Sequence, residues 1–337
     1  MFPNGPIWQV IREQALDLVR DDVKVLFGSP RTLSDWSVNG SYVVSGSDPR
    51  QFVIVCSRQE LAGVIFSEAN LLMDHAEEQR RQIIDSIVVR DWSSPAWNVV
   101  TVYYWCFFLA LAYSRLTGRS LHYLRKEDVD RLRRASTSNA APGAGAYTVE
   151  MNDTSATSVT VNLKKDRNSN YHEAVWRFIH KEFESLANGA DDEANLLESR
   201  IFSCLKEAAG SEDAIWPTRL RNVVNYRPGA AYLEVRKKRV IKLTRFAKVN
   251  DFKDIEDVVS LFERQRIALK KWSVEDHINE YSVLLFLKGV MLSLLCNELI
   301  KDITERRQID RRWLYMRSLF NAELRKQFPE TQRCLFL

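Results

Sequence analysis

From Val99 to Tyr113 every residue is apolar or aromatic except Thr101, and such a run must be hidden from water along its whole length. Its fifteen residues fall short of the roughly 20 that a helix needs to cross the hydrocarbon core of a bilayer. Its tyrosines and tryptophan also sit inside the run rather than at its ends, where an interfacial belt would place them. The pattern fits a helix that is apolar nearly all round and lies at the centre of a helical bundle. Its limits are local: Ser94 and Pro95 supply a start and Gly118 a stop, which predicts a helix over about 95–117. A chain of 337 residues with 45% hydrophobic content has enough apolar material to close a core around it.

The surrounding periodicity is mostly helical. Ile7, Val10, Ile11, Ala15, Leu16 and Val19 make one apolar face over 6–27, and Leu71, Leu72, Ala76, Ile83, Ile84 and Ile87 do the same over 67–88. Further helices are predicted near 170–188, 192–209 and 217–226, then from about 252 onward, with a last amphipathic helix near 306–328. Two β elements interrupt this order. SYVVS (41–45) and QFVIVCS (51–57) are β-branched and aromatic runs separated by turn residues, and YTVEM and SVTVNL make a second hairpin, inserted with its Ser-, Ala- and Gly-rich linker at 135–165. The basic, β-branched stretch 231–249 reads as strand. The expected fold is mainly α, a helical bundle with two small β-hairpin elements and a helical C-terminal region. Its expected divisions are 1–93, a core at 94–230 and 231–337.

Composition limits the chemistry. A net charge of +4, from 48 Lys and Arg against 44 Asp and Glu, is too small to imply nucleic acid by itself. Cys56, Cys106, Cys204, Cys296 and Cys334 are odd in number and never in C-x-x-C pairs, which argues against a disulfide framework or zinc knuckle and for a reducing cytosol. The first residues lack the basic start, unbroken apolar stretch and cleavage site of an export signal. A cytoplasmic protein without a membrane span is expected. No phosphate-binding glycine loop, dinucleotide fingerprint, nucleophile elbow or His-Glu-x-x-His is present, so ATPase, dinucleotide-dependent and common hydrolase readings lose their main support. The five histidines are too widely spread for a local metal site, and neither metal nor cofactor is expected.

Three segments rise above this background. SPAWNVVTVYYWCFFLALAYSRLTG (94–118) pairs tyrosines with phenylalanine and an alanine-rich stretch that runs into glycine. NYHEAVWRFIHKEF (170–183) opens with a histidine and carries aromatic residues. LRNVVNY (220–226) contains arginine, four residues, then tyrosine. In this order, over about 95–227, they resemble the HEPN superfamily of small helical domains, the last segment being similar to a variant signature found in several of its families. The resemblance implies a prokaryotic defence or toxin-type effector, a metal-independent endoribonuclease whose site forms where such helices meet across a dimer. The competing implication is a HEPN-like interaction or sensor subunit that has lost its chemistry within a larger defence assembly.

In active members the motif is arginine, four to six residues, then histidine. Cleavage without a metal needs a group that moves protons at the ribose 2′-hydroxyl and the leaving oxygen, which histidine does near neutral pH. It also needs paired donors on the phosphate, which arginine supplies. Arg221 and Asn222 match the family's pattern, but Tyr226 stands where histidine would be, and a tyrosine hydroxyl with an ordinary pKa near ~10 is a poor proton shuttle. Arg167 to His172 has the histidine form of the spacing, on the segment before; Arg115 and His122 meet the looser form. The candidate catalytic residues are therefore Arg221, Asn222, Tyr226 and His172. Three of them have a plain structural alternative: Arg221 bonding between helices, Tyr226 as a core aromatic, His172 packed on Trp176 at a helix start. Arg236, Lys237, Lys238 and Arg239, in the basic run 236–248, are candidates to bind RNA together with Arg167, and 305–313 is a second basic cluster. Such runs also occur as solvated faces. RNA and a second copy or partner protein are the expected partners.

Overall fold

The computed structural model describes residues 5–18, 32–86, 94–137, 140–153, 157–167, 170–188, 196–207, 213–226, 254–269 and 273–306. The fold is mainly helical, with one small antiparallel sheet. In chain order the elements are α1 (Pro6–Leu18), α2 (Leu33–Asn39), β1 (Tyr42–Asp48), β2 (Gln51–Ser57), α3 (Arg58–Ile84), α4 (Pro95–Leu116), β3 (Ser120–Leu124), α5 (Lys126–Ala135), β4 (Gly145–Asp153) and β5 (Ser158–Lys165). They continue with α6 (Tyr171–Asn188), α7 (Leu196–Lys206), α8 (Trp216–Tyr226), α9 (Ile255–Ala268) and α10 (Ile278–Arg306). The basic segment 231–249, with Arg236, Lys237, Lys238 and Arg239, lies outside the described residues, as do Arg307, Arg311 and nearly all of the helix expected at 306–328.

The all-round apolar run becomes α4, with Ser94 as N-cap and Pro95 in the first turn. Gly118 follows at φ 72°, the left-handed stop that a side chain would strain. α4 packs between α3 and α10 and buries Val99, Phe107 and Leu111. Its contact with α10 is close: a Cβ on Gly289 would lie 2.5 Å from the Trp105 ring and 2.7 Å from Cys106 Sγ. Thiols help to tie the pair, Cys106 donating to the Leu285 carbonyl (3.1 Å) and Cys296 to that of Leu109 (3.6 Å). Both α4 and α10 contain segments long and apolar enough to cross a membrane by length and composition, and 83% and 78% of those segments are buried inside the protein.

The two expected hairpins are not separate elements. They lie side by side in one five-stranded sheet of order β1-β2-β5-β4-β3, joined by Phe52 opposite Leu163, Ile54 opposite Val161 and Cys56 opposite Val159. These alternating residues are buried, so the period-2 pattern that marked each hairpin also specifies their shared face. The fifth strand, β3, is SLHYL, too short for its alternation to be legible. Two side chains occupy the outward Leu121 carbonyl of this edge strand, Arg115 NH1 at 2.8 Å and Tyr171 Oη at 3.2 Å, which blunts an edge that could otherwise pair with another chain. α3 begins nine residues before the expected Ser67, because Ser57 ends β2 and also caps the helix by accepting from the Glu60 N–H (3.4 Å).

Candidate functional site

α4, α6 and α8 meet at the tyrosine pair of α4. Asn170 caps α6, its side-chain oxygen accepting from the His172 N–H (3.1 Å) and its amide donating to Glu173 (3.1 Å), so the cap fixes His172 in the first turn. His172 Nδ1 lies 2.9 Å from the Tyr103 hydroxyl, and its ring packs 4.5 Å from Phe107 and edge-on to Tyr104. The same Tyr103 oxygen accepts from Trp176 Nε1 (3.3 Å) and sits 3.4 Å from Thr218 Oγ1. Three residues on from Thr218 along α8, Arg221 donates from NH2 to the Tyr104 hydroxyl (3.1 Å) and from NH1 to Asn222 Oδ1 (3.0 Å). Its guanidinium lies 5.9, 5.8 and 5.7 Å from the ring centroids of Tyr103, Tyr104 and Tyr226, within cation–π range of all three.

Arg221 thus uses two of its five N–H donors among the described residues. Its Nε is buried with no hydrogen-bond partner, and no carboxylate among the described residues pairs with the guanidinium. The electrostatics follow. Burial first, and the Arg221 cation second, hold the His172 imidazole down to about 4, so the ring is neutral at pH 7. Burial pushes the Tyr103 hydroxyl up to about 12, so it keeps its proton. Two arrangements satisfy this geometry. Tyr103 can donate to Nδ1, leaving the imidazole proton on Nε2. Alternatively Nδ1–H donates to Tyr103, whose hydroxyl turns to Thr218, and Nε2 carries a lone pair. One hydroxyl rotation therefore switches the outer histidine nitrogen between donor and acceptor. Behind Trp176 lies Lys288, its amine 5.9 Å from the indole and pushed down by burial to about 8.

Arg221, Asn222, Tyr226 and His172 are brought together, although His172 came from a different candidate motif. His172 finds its arginine on α8. Arg167 is exposed on the connection between β5 and α6 and makes none of these contacts among the described residues, while Asn168 and Ser169 lie outside them. Tyr226 is 68% exposed rather than a core aromatic. Sequence reasoning passed over Tyr103, Tyr104, Thr218 and Trp176 as site residues. For Tyr103 and Trp176 the available signal was the polar atom that a buried aromatic carries, which requires a partner.

The looser pair, Arg115 and His122, occupies a different environment. Glu68 of α3 accepts from Arg115 Nε (3.0 Å) and from the Leu33 N–H (2.8 Å). His122 Nδ1 lies 3.2 Å from Glu68 Oε2, and its Nε2 lies 2.8 Å from Ser120 Oγ. Burial alone would raise the Glu68 carboxyl; His122 and Arg115 outweigh it and hold the group well below its ordinary range. Burial and then Arg115 lower His122, whose Nδ1 sits between the Glu68 carboxylate and Arg115 NH2, each at 3.2 Å, while Nε2 pairs with the Ser120 hydroxyl. Serine, histidine and carboxylate in this order can activate a nucleophile, but Ser120 has 0% exposed surface, and no substrate reaches it. The cluster joins α2, α3, α4 and β3.

Among the described residues no group of three or more His, Cys, Asp or Glu is placed to hold a metal ion. Compared with known proteins, the chain matches no family model, no curated protein and no solved structure.

Proposed function

We propose that this protein is a HEPN-like effector of a prokaryotic defence or toxin-type system that cleaves RNA without a metal, using Arg221 and His172 as a composite pair drawn from two helices. The observation that carries this reading is the meeting of the two residues on one tyrosine pair, with His172 through Tyr103 and Arg221 through Tyr104. Arg221 would bind the scissile phosphate with its remaining terminal N–H groups, where charge grows as the 2′-oxygen attacks. His172 Nε2, with Nδ1 held by Tyr103, would take the 2′-hydroxyl proton as the 2′-oxygen bonds to phosphorus, and the resulting imidazolium would return that proton to the 5′-oxygen as the P–O5′ bond breaks. Asn222 orients the guanidinium. The basic run holding Arg236, Lys237, Lys238 and Arg239, with Arg167, would supply a track for further phosphates. The proposed setting is the cytoplasm, away from any membrane, with a second copy or a defence partner completing the assembly.

The test is cleavage of single-stranded RNA by the purified chain in the presence of a chelator. Activity that resists chelation and disappears in both Arg221→Ala and His172→Ala supports the reading. Affinity should also fall with salt, with a logarithmic slope of about 0.7 per phosphate neutralised. A second reading, a HEPN-like interaction or sensor subunit without catalysis, is favoured by Tyr226 in the position where active relatives carry histidine. It is the better account if neither variant changes any RNA-dependent readout.

A further inference from the structure

Tyr226 does not move a proton in the scheme above, and its placement calls for another role. It ends α8 with 68% of its surface exposed. Arg221 lies 5.7 Å from its ring centroid, so the guanidinium accounts for one face of a ring that is otherwise largely open. A large aromatic held out in this way beside a half-buried cation without a carboxylate partner among the described residues presents two complementary needs. The cation needs an anion, because a desolvated guanidinium gains most from a charged acceptor. The ring needs a flat apolar partner. A nucleotide carries both, a phosphate and a base.

We infer that Tyr226 is a base-stacking residue. It takes on its open face the base next to the phosphate held by Arg221, so the ligand is a single-stranded RNA segment whose base is free to leave its own stack. This inference rests on the reading of Arg221 as a phosphate group's partner and adds the substrate class. Paired RNA hides its base faces, whereas single strands offer them, and stacking on an aromatic side chain tolerates any sequence. The tyrosine that replaces the family's histidine then contributes binding instead of proton transfer.

The experiment measures affinity for a short 2′-O-methyl oligoribonucleotide, which cannot be cleaved, and for the matched oligomer lacking bases. The expected result is that Tyr226→Ala weakens the base-containing oligomer by about 5- to 150-fold, leaves the abasic one within twofold of its wild-type affinity, and is rescued by Tyr226→Phe. Equal loss on both oligomers, no loss on either, or no binding by the wild type overturns the inference. So does a dimer that Tyr226→Ala dissociates, since the ring would then serve a second copy of the chain. Cleavage of ordinary RNA is scored separately: base-dependent binding without cleavage refutes the catalytic reading and leaves the stacking role standing, whereas cleavage with equal affinity for both oligomers does the reverse.

Discussion

Two arginine–histidine clusters lie along the same central helix region, and they differ by one carboxylate. Arg115 and His122 close around Glu68, and Ser114, Ser120 and the Leu121 carbonyl take up donors and acceptors that remain. Arg221 and His172 have no such anion among the described residues; their contacts are two tyrosine hydroxyls, an amide oxygen and ring faces. A buried ion pair with its hydrogen bonds made is a structural joint. A cation surrounded by ring faces and short of acceptors has unused capacity for a ligand. Spacing in the sequence made the two pairs look alike, and the carboxylate arriving from α3 separates them.

The largest expected effect is on the open cluster. His172→Ala should lower RNA cleavage by about 10²–10⁴-fold, and Arg221→Ala should do the same, each with only a modest loss of stability of about 0.5–1.5 kcal/mol per hydrogen bond removed. The closed cluster should respond in the opposite way: Glu68→Ala leaves Arg115 buried without its anion and should cost about 3–5 kcal/mol of folding stability, read from denaturant midpoints. Equal behaviour of the two clusters in both assays would erase the distinction.

Acid should sharpen it. A histidine whose folded-state value is depressed favours folding in its neutral form. That contribution is complete above its unfolded value near 6.5 and is lost as pH falls from there toward about 4 for His172. Stability should therefore decline between pH 6.5 and 4, and His172→Gln should remove part of that decline. His122 is lowered too, so the remainder of the decline should persist until the closed cluster itself is altered. The smallest expected effect is that of Tyr171→Phe, which removes one bond to the Leu121 carbonyl and should cost about 0.5–1.5 kcal/mol, with cleavage unaffected beyond that loss of stability.

Much of this fold was legible in the chain because the signals are local. The apolar run, its proline start and its glycine stop set α4, and alternation set four of the five strands. What was illegible depends on distant partners. Nothing in SLHYL announces a strand until β4 lies beside it. The identity of Ser57 as a helix cap is hidden in a run that reads as strand, and α2 and α5 are too short for periodicity to stand out. At the candidate site the individual residues were visible, but their pairing was not: Arg221 and His172 are 49 positions apart in the sequence, and the tyrosines that join them looked only like core. That Glu68 would neutralise the other pair could not be read from any spacing, since it reaches Arg115 and His122 from another helix.

The most direct test of the composite pair is the titration of the His172 ring by proton NMR, assigned by the signal missing from His172→Gln, in the wild-type chain and in Arg221→Gln. If the two residues share one site, the wild-type midpoint lies near 4. Removing the arginine charge then raises it, though not fully to 6.5, because burial remains. A wild-type midpoint near 6.5, or one that Arg221→Gln leaves in place, would contradict the pairing and the mechanism built on it.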